Sequence, residues 1–225
     1  MFVSTVSHEF RSPLSAITHL AELLDAGRVK DEDRKREYYR LILGESGRLW
    51  RLVENLLNFA RIEEGRQPFQ LEPMDVGRWI RPVVDEFQAS PAAAGRQIVV
   101  EIAPDLPPVR ADAQAMTTVL GNLLDNAVKY SRDSTRVWVQ ASVAERAVEI
   151  RIRDEGVGIA EQDQAHIFER FYRAREAGAV AGTGLGLALV QRIVAAHRGT
   201  VGVQSRAGEG STFRVRLPAV NEERA

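Results

Sequence analysis

Apolar residues return every third or fourth position through the first 64 residues, and at every second position through much of the chain after residue 73. The two periods belong to different structures, so the chain has to fold as a helical part followed by a part that contains a sheet. Val3, Val6, Phe10, Leu14, Ile17, Leu20 and Leu24 form one helical stripe. Tyr38, Leu41, Ile42, Leu49, Leu52, Val53, Leu56 and Ala60 form a second. AGRVKDED (26–33) interrupts them, with Gly27 suited to ending one helix and the acidic residues suited to starting the next. Two helices bury one stripe against another and leave their flanks exposed. A hairpin of this length is therefore expected to pair with a second copy as a four-helix bundle.

GRQPFQLEP (65–73) reads as a linker running into a first strand. Strands are expected at QIVVEI (97–102), TRVWVQASV (135–143), AVEIRIRD (147–154), GTVGVQS (199–205) and STFRVRL (211–217). Helices are expected near 76–90, 113–130 and 184–197. This order suggests an α/β sandwich over residues 74–218, with helices on one face of a mixed sheet, then a frayed tail over 219–225. Thirty basic residues against thirty-one acidic ones leave no bulk attraction to nucleic acid or to a membrane surface. No apolar run reaches the ~18 residues of a membrane-spanning helix, and MFVSTVSHEF is too soon charged for a secretory signal. Without cysteine there is no disulfide, thiol nucleophile or Cys-ligated metal, which fits a reducing cytosol.

Four segments have residues suited to chemistry: GNLLDNAVKYS (121–131), DEGVGI (154–159), GTGLGL (182–187) and GEGSTF (208–213). Glycines after strands serve turns, but GTGLGL leads into the apolar helix LGLALVQRIVAAH, where free N–H groups and the helix dipole also suit a phosphate. No Gly-Lys-Ser/Thr follows, so it is not a P-loop, and no strand directly precedes it as a dinucleotide fingerprint requires. Asn122, Asn126 and Lys129 share one helix face, either solvated or, with Leu123, Leu124, Ala127 and Val128 in the core, at the border of a cleft. Asn oxygens suit Mg²⁺ and Lys suits a phosphate. In SHEFRSPLS (7–15) Glu9 directly follows His8, and Pro13 removes the N–H that would bond the Glu9 carbonyl, so the helix is expected to bend there. His19 faces nearly the same way as His8 but has neither acid nor proline beside it. His19, His166 and His197 read as ordinary surface or border histidines.

Together these segments resemble the catalytic core of a two-component sensor histidine kinase over essentially the whole chain. HEFRSPL (8–14) is similar to the H box, GNLLDNAVKYS to the N box, DEGVGI to the G1 box, IFERFYR (167–173) to the F box, GTGLGL to the G2 box and GEGSTF to the last glycine box. All six stand in the family's order. The resemblance implies a dimerisation and histidine phosphotransfer hairpin over residues 1–64, then an ATP-binding α/β sandwich of the kind shared with gyrase and heat-shock chaperone ATPases.

Carried over residue by residue, His8 is the phospho-acceptor and Glu9 orients its ring and accepts its proton. The resemblance implies that Asn122 and Asn126 hold Mg²⁺ between the ATP phosphates, that Lys129 contacts a phosphate and that Tyr130 packs near the adenine. Asp154 accepts the adenine amino hydrogen, and Gly156 and Gly158 admit the base. Residues 160–183 are then a mobile lid anchored by Phe168 and Phe171, with Arg173 toward the γ-phosphate. Gly182, Gly184 and Gly186 close on the phosphates, and Ile159, Thr183, Leu185, Leu187 and Thr212 complete the site. Phe10 and Ser12 depart from the usual Leu and Thr of the H box; Ser12 stands where the family positions a water for dephosphorylating its partner. The partners implied are a second copy and a response-regulator receiver domain. The chain starts only seven residues before His8, so a fragment is expected, cytoplasmic itself, with sensor and inner-membrane segments outside it. A scaffold pseudokinase and a plain gyrase-like ATPase are the alternatives. The first has no lost motif residue to support it, and the second leaves His8 in its Glu-flanked, proline-bearing helix unexplained.

Overall fold

In the computed structural model, which describes residues 2–63, 69–131, 136–174 and 184–220 and the side chains of the first helix from Phe10 on, the chain opens with two long helices. Helix α1 (Phe2–Asp25) runs through Pro13 without interruption, and α2 (Glu32–Glu63) returns beside it. Gly27 and Arg28 close α1 by donating to the carbonyls of Leu24 and Leu23, and Asp31 starts α2 by accepting from the Arg34 N–H at 2.9 Å. Leu52 is buried, but Leu14, Tyr39, Leu41, Leu43 and Leu57 are exposed by 44–71%. One flank of each helix stripe is thus left open to solvent.

The rest follows the alternating pattern. Strand β1 (Glu72–Met74) pairs antiparallel with β3 (Val109–Ala111) in a small two-stranded sheet. Strands β2 (Gln97–Ile102), β4 (Arg136–Ala144), β5 (Ala147–Asp154), β6 (Thr200–Arg206) and β7 (Gly210–Pro218) form a five-stranded sheet of order β2-β4-β5-β7-β6. Only β2 and β4 run parallel. Helices α3 (Val76–Ala89), α4 (Ala113–Tyr130) and α6 (Gly186–Ala196) accompany the sheet, with a short α5 (Glu161–Gln164) before α6. Val148, Ile150 and Ile152 of β5 and Phe213, Val215 and Leu217 of β7 meet Leu120, Leu123 and Leu124 of α4 and Leu189 and Ile193 of α6 in one core. Asp75 and Asp112 cap α3 and α4 through their carboxylates, and the Trp79 indole N–H bonds Thr117 across the two helices at 3.1 Å.

Three details differ from the sequence reading. The β1–β3 pair depends on three-residue segments, too short for a period to show. Ala219 and Val220, read as tail, are tied to the body: Ala219 bridges Val109, and the Val220 N–H donates to the Pro108 carbonyl. Of the expected lid over 160–183, residues 160–174 are described, with Asp163 and Ile167 buried and Glu161, Gln162, His166, Glu169 and Arg170 exposed; residues 175–183 lie outside the described residues. His197 is no border histidine but 3% exposed. Its Nε2 accepts the Asp112 N–H at 3.0 Å, and its Nδ1–H donates to the Ile193 carbonyl at 2.7 Å. That joins the end of α6 to the start of α4.

Candidate functional site

The same two helices carry the side chains that matter at their other ends. On α4, spacings of four and three put Asn122, Asn126 and Lys129 on one face, while Leu120, Leu123, Leu124 and Ala127 fill the opposite one. That polar face lines a cleft of about 840 Å³, together with Tyr130, Asp154, Gly158, Ile159, Arg173, Gly184, Gly186 and Leu187. The Asn122 amide donates to the Thr118 carbonyl at 2.8 Å, which fixes its donor end and leaves its oxygen as the free acceptor. That oxygen lies 2.7 Å from where a side chain at Gly186 would begin, so it is aimed at the start of α6. Lys129 Nζ sits 5.2 Å from the centre of the Tyr130 ring. Two amide oxygens, an ammonium and a helix start suit a phosphate-bound hard cation. Among the described residues no cluster of three or more His, Asp or Glu could hold a metal by protein ligands alone.

Asp154 ends β5 at the floor of the cleft and is 4% exposed. A single oxygen, Oδ1, accepts both the Gly156 N–H at 2.8 Å and the Ser211 N–H at 3.3 Å. Oδ2 receives neither bond. Burial pushes the carboxyl up to about 6, against the pull of those two N–H donors. An acceptor of this kind, walled by apolar Val157, Ile159, Ile167 and Phe213, is suited to an amine on an otherwise flat ring. Gly158 has φ +67°, and a methyl there would stand 2.0 Å from the Arg206 carbonyl oxygen. Gly184 also has positive φ, and its carbonyl accepts the Phe171 N–H at 3.0 Å, joining the F-box segment to the start of α6.

Other expected residues lie elsewhere. Phe168 packs on the main core, and Leu185 is buried with Ala188 against Phe171 and Leu56 of α2. Thr212 stands on the opposite face of the sheet, because alternation along β7 turns its neighbours Ser211 and Phe213 into the cleft instead. Gly182 and Thr183 lie outside the described residues, as do the side chains of His8 and Glu9. Ser12 is described and exposed. Tyr172 was missed by sequence reasoning although it is inside IFERFYR; it lines the cleft, and its hydroxyl donates to buried Asp163 at 2.5 Å. Trp50, Leu52 and Glu54 of α2 also line the cleft, and no local signal announces them.

Comparison with known proteins gives a consistent picture. Residues 1–65 match the His Kinase A (phospho-acceptor) domain, and residues 111–221 match the histidine kinase-, DNA gyrase B- and HSP90-like ATPase family. The chain is 35% identical over 226 residues to the sensor-like histidine kinase SenX3 of Mycobacterium tuberculosis, covering 98% of this chain and 54% of that protein. It is 32% identical over 230 residues to the sensor histidine kinase WalK of Bacillus subtilis, covering 99% and 37%. The chain thus spans about half, or less, of the length of these relatives. Among solved structures, the Acinetobacter baumannii histidine kinase AdeS superposes with a TM-score of 0.73 at 26% identity, covering 95% of this chain and 98% of that one. Full-length ShkA in complex with AMPPNP superposes with a TM-score of 0.69 at 32% identity, covering 97% and 46%.

Proposed function

Because the chain belongs to the sensor histidine kinase family and carries both its phospho-acceptor and its ATPase domains, we propose that it phosphorylates itself on His8 from ATP and passes the phosphoryl group to an aspartate of a response-regulator receiver domain. The observation that supports this best is the convergence of Asn122, Asn126, Lys129, Asp154 and Arg173 on one cleft that α2 of the hairpin also borders. ATP binds with its adenine amine on Asp154 Oδ2 and its phosphates toward Lys129, Arg173 and the start of α6. The free oxygen of Asn122, with that of Asn126, would hold Mg²⁺, which would supply charge neutralisation at those phosphates. The acceptor step needs a neutral imidazole, which an ordinary histidine supplies at pH 7. Glu9 takes the ring proton as the other nitrogen bonds the γ-phosphorus, and ADP leaves. Positioning and charge neutralisation provide most of such catalysis, and the cleft is built of groups suited to both.

In this reading residues 1–64 are the dimerisation and phosphotransfer unit and residues 74–218 the catalytic unit. The exposed Leu14, Leu41, Leu43 and Leu57 support a homodimer, since a second hairpin is what covers them. No described helix is long and apolar enough to cross a membrane. Incubation with γ-labelled ATP tests the reading. Acid-labile, base-stable label on the chain is expected; release of phosphate without label indicates a plain ATPase, and neither outcome indicates a scaffold.

A further inference from the structure

The five-stranded sheet has a second face, turned away from the helices and the cleft. Since Val148, Ile150 and Ile152 face the core, Glu149, Arg151 and Arg153 of β5 face outward, as do Arg214 and Arg216 between the core residues of β7. Glu149 is 0% exposed there because two guanidiniums cover it: Arg151 Nε reaches one carboxylate oxygen and Arg216 Nε the other, each at 2.5 Å. Both arginines spend only their inner nitrogen on Glu149, and their side chains remain 43% and 47% exposed. Register adds a third. Arg151 stands directly opposite Arg214, a like-charge pair that weakens a sheet. Arg214 donates to Gln204, and its buried Nε meets no acceptor among the described residues. Two guanidiniums therefore cover one carboxylate, and a third, Arg214, stands across from Arg151. The cluster is short of acceptors, and the pairs with Glu149 hold two of its members in place.

The surroundings decide what such a cluster fits. In the next row Arg153 lies 4.9 Å above the Trp138 ring, and Gly202 beside Arg214 leaves the sheet bare. Its larger apolar side chains among the described residues, Val99 and Trp138, are both half-buried, the Trp under a guanidinium, so neither protrudes to enter a bilayer. Arg and Trp are the side chains that anchor protein interfaces. Five strands ~4.8 Å apart, with ~3.3 Å per residue along them, give a footprint of about 600 Å², close to one side of a standard interface.

We propose that this outer face, centred on Arg151 and Arg216 at Glu149 and on Arg214 beside them, docks a partner protein that presents acidic side chains. The site is independent of the nucleotide cleft, which opens on the other side of the sheet. A fluorescein-labelled twelve-residue peptide of alternating Glu and Ser, titrated with the whole chain, provides the probe. Saturable binding in 50 mM salt, weakened about tenfold or more in 500 mM, is the expected result. Arg151→Gln and Arg214→Gln are each expected to weaken it about fivefold, the equivalent of roughly one exposed charge pair, with self-phosphorylation from ATP unchanged. Glu149→Gln adds net positive charge yet should also weaken binding, because it releases Arg151 and Arg216 from their fixed positions. Tighter binding by Glu149→Gln would show that diffuse charge alone is at work and would overturn the proposal. So would no binding, indifference to both arginine substitutions, or binding of phosphatidylglycerol vesicles but not of the peptide. Self-association abolished by Arg151→Gln would make the occupant a second copy, and that also overturns it.

Discussion

Asp154→Asn separates two effects of one carboxylate by giving them opposite signs. Both backbone donors, Gly156 and Ser211, use Oδ1. An amide oriented with its oxygen there keeps both bonds and changes only the other atom from acceptor to donor. In the proposed complex that atom meets the adenine amine, so two donors then face each other. Loss of a hydrogen bond to a charged acceptor costs about 1.5–3 kcal/mol, a ten- to hundredfold weaker affinity. The empty protein responds the other way. Burial raises the Asp154 carboxyl from 3.8 to about 6, so the ionised form is penalised by about 3 kcal/mol in the fold. For a raised acid the penalty is absent below the unfolded value near 4 and complete above about 6. Asparagine escapes it and incurs only the desolvation of a neutral amide, on the order of 1 kcal/mol. A net gain of about 1–2 kcal/mol, or roughly 3–6 °C in Tm, is expected at pH 7.5 and should shrink toward pH 4. Thermal melts of nucleotide-free protein across pH 4–8, with calorimetric titration of a non-hydrolysable ATP analogue at pH 7.5, measure both. The parent should also lose affinity as pH falls through 6, and the variant should not. Unchanged affinity refutes the adenine assignment; a Tm gain independent of pH refutes the buried-carboxylate account.

Replacing His8 with Ala should abolish acid-labile self-phosphorylation while leaving Mg·ATP affinity nearly intact, since the acceptor is on α1 and the cleft is built chiefly on α4, β5 and α6; retained label would assign another histidine. Ser12→Thr should raise dephosphorylation of a phosphorylated receiver domain, followed with ADP present, because the β-branch holds the hydroxyl in fewer rotamers. Self-phosphorylation should stay within about twofold. Equal decay with Ser and Thr would remove the argument. His197→Phe should cost about 2 kcal/mol, roughly 4–8 °C in Tm, because the Asp112 N–H loses its acceptor, whereas the Ile193 carbonyl keeps the backbone N–H of residue 197. An unchanged melt would show that water takes over the lost bond.

Repetition made much of the molecule legible in advance. The stripes of α1 and α2 and the alternation at 147–154 place one apolar residue after another on the same face, and on β5 that face is the buried one, whereas Leu14 and Leu41 of the stripes stay exposed. Asn122, Asn126 and Lys129 could be placed together for the same reason, because three and four residues make one turn of a helix. The glycine boxes carried the family resemblance, since close approach of backbone leaves no choice of residue at Gly158 or Gly184.

Where contacts join segments far apart in sequence, local period carries no information. Three-residue strands β1 and β3 meet across some thirty-five positions, and His197 is buried because Asp112 lies above its ring nitrogen. Thr212 and Ser211 both stand in GEGSTF, yet only the register of β7 on β5 decides which of them enters the cleft. The raised carboxyl of Asp154 likewise comes from the walls around it. Local order follows from the geometry of a few bonds, which the sequence by itself determines. Leu56 of α2 against Leu185 and Arg151 opposite Arg214 are different, because each exists only once the chain has closed and the tertiary structure has chosen which surfaces meet.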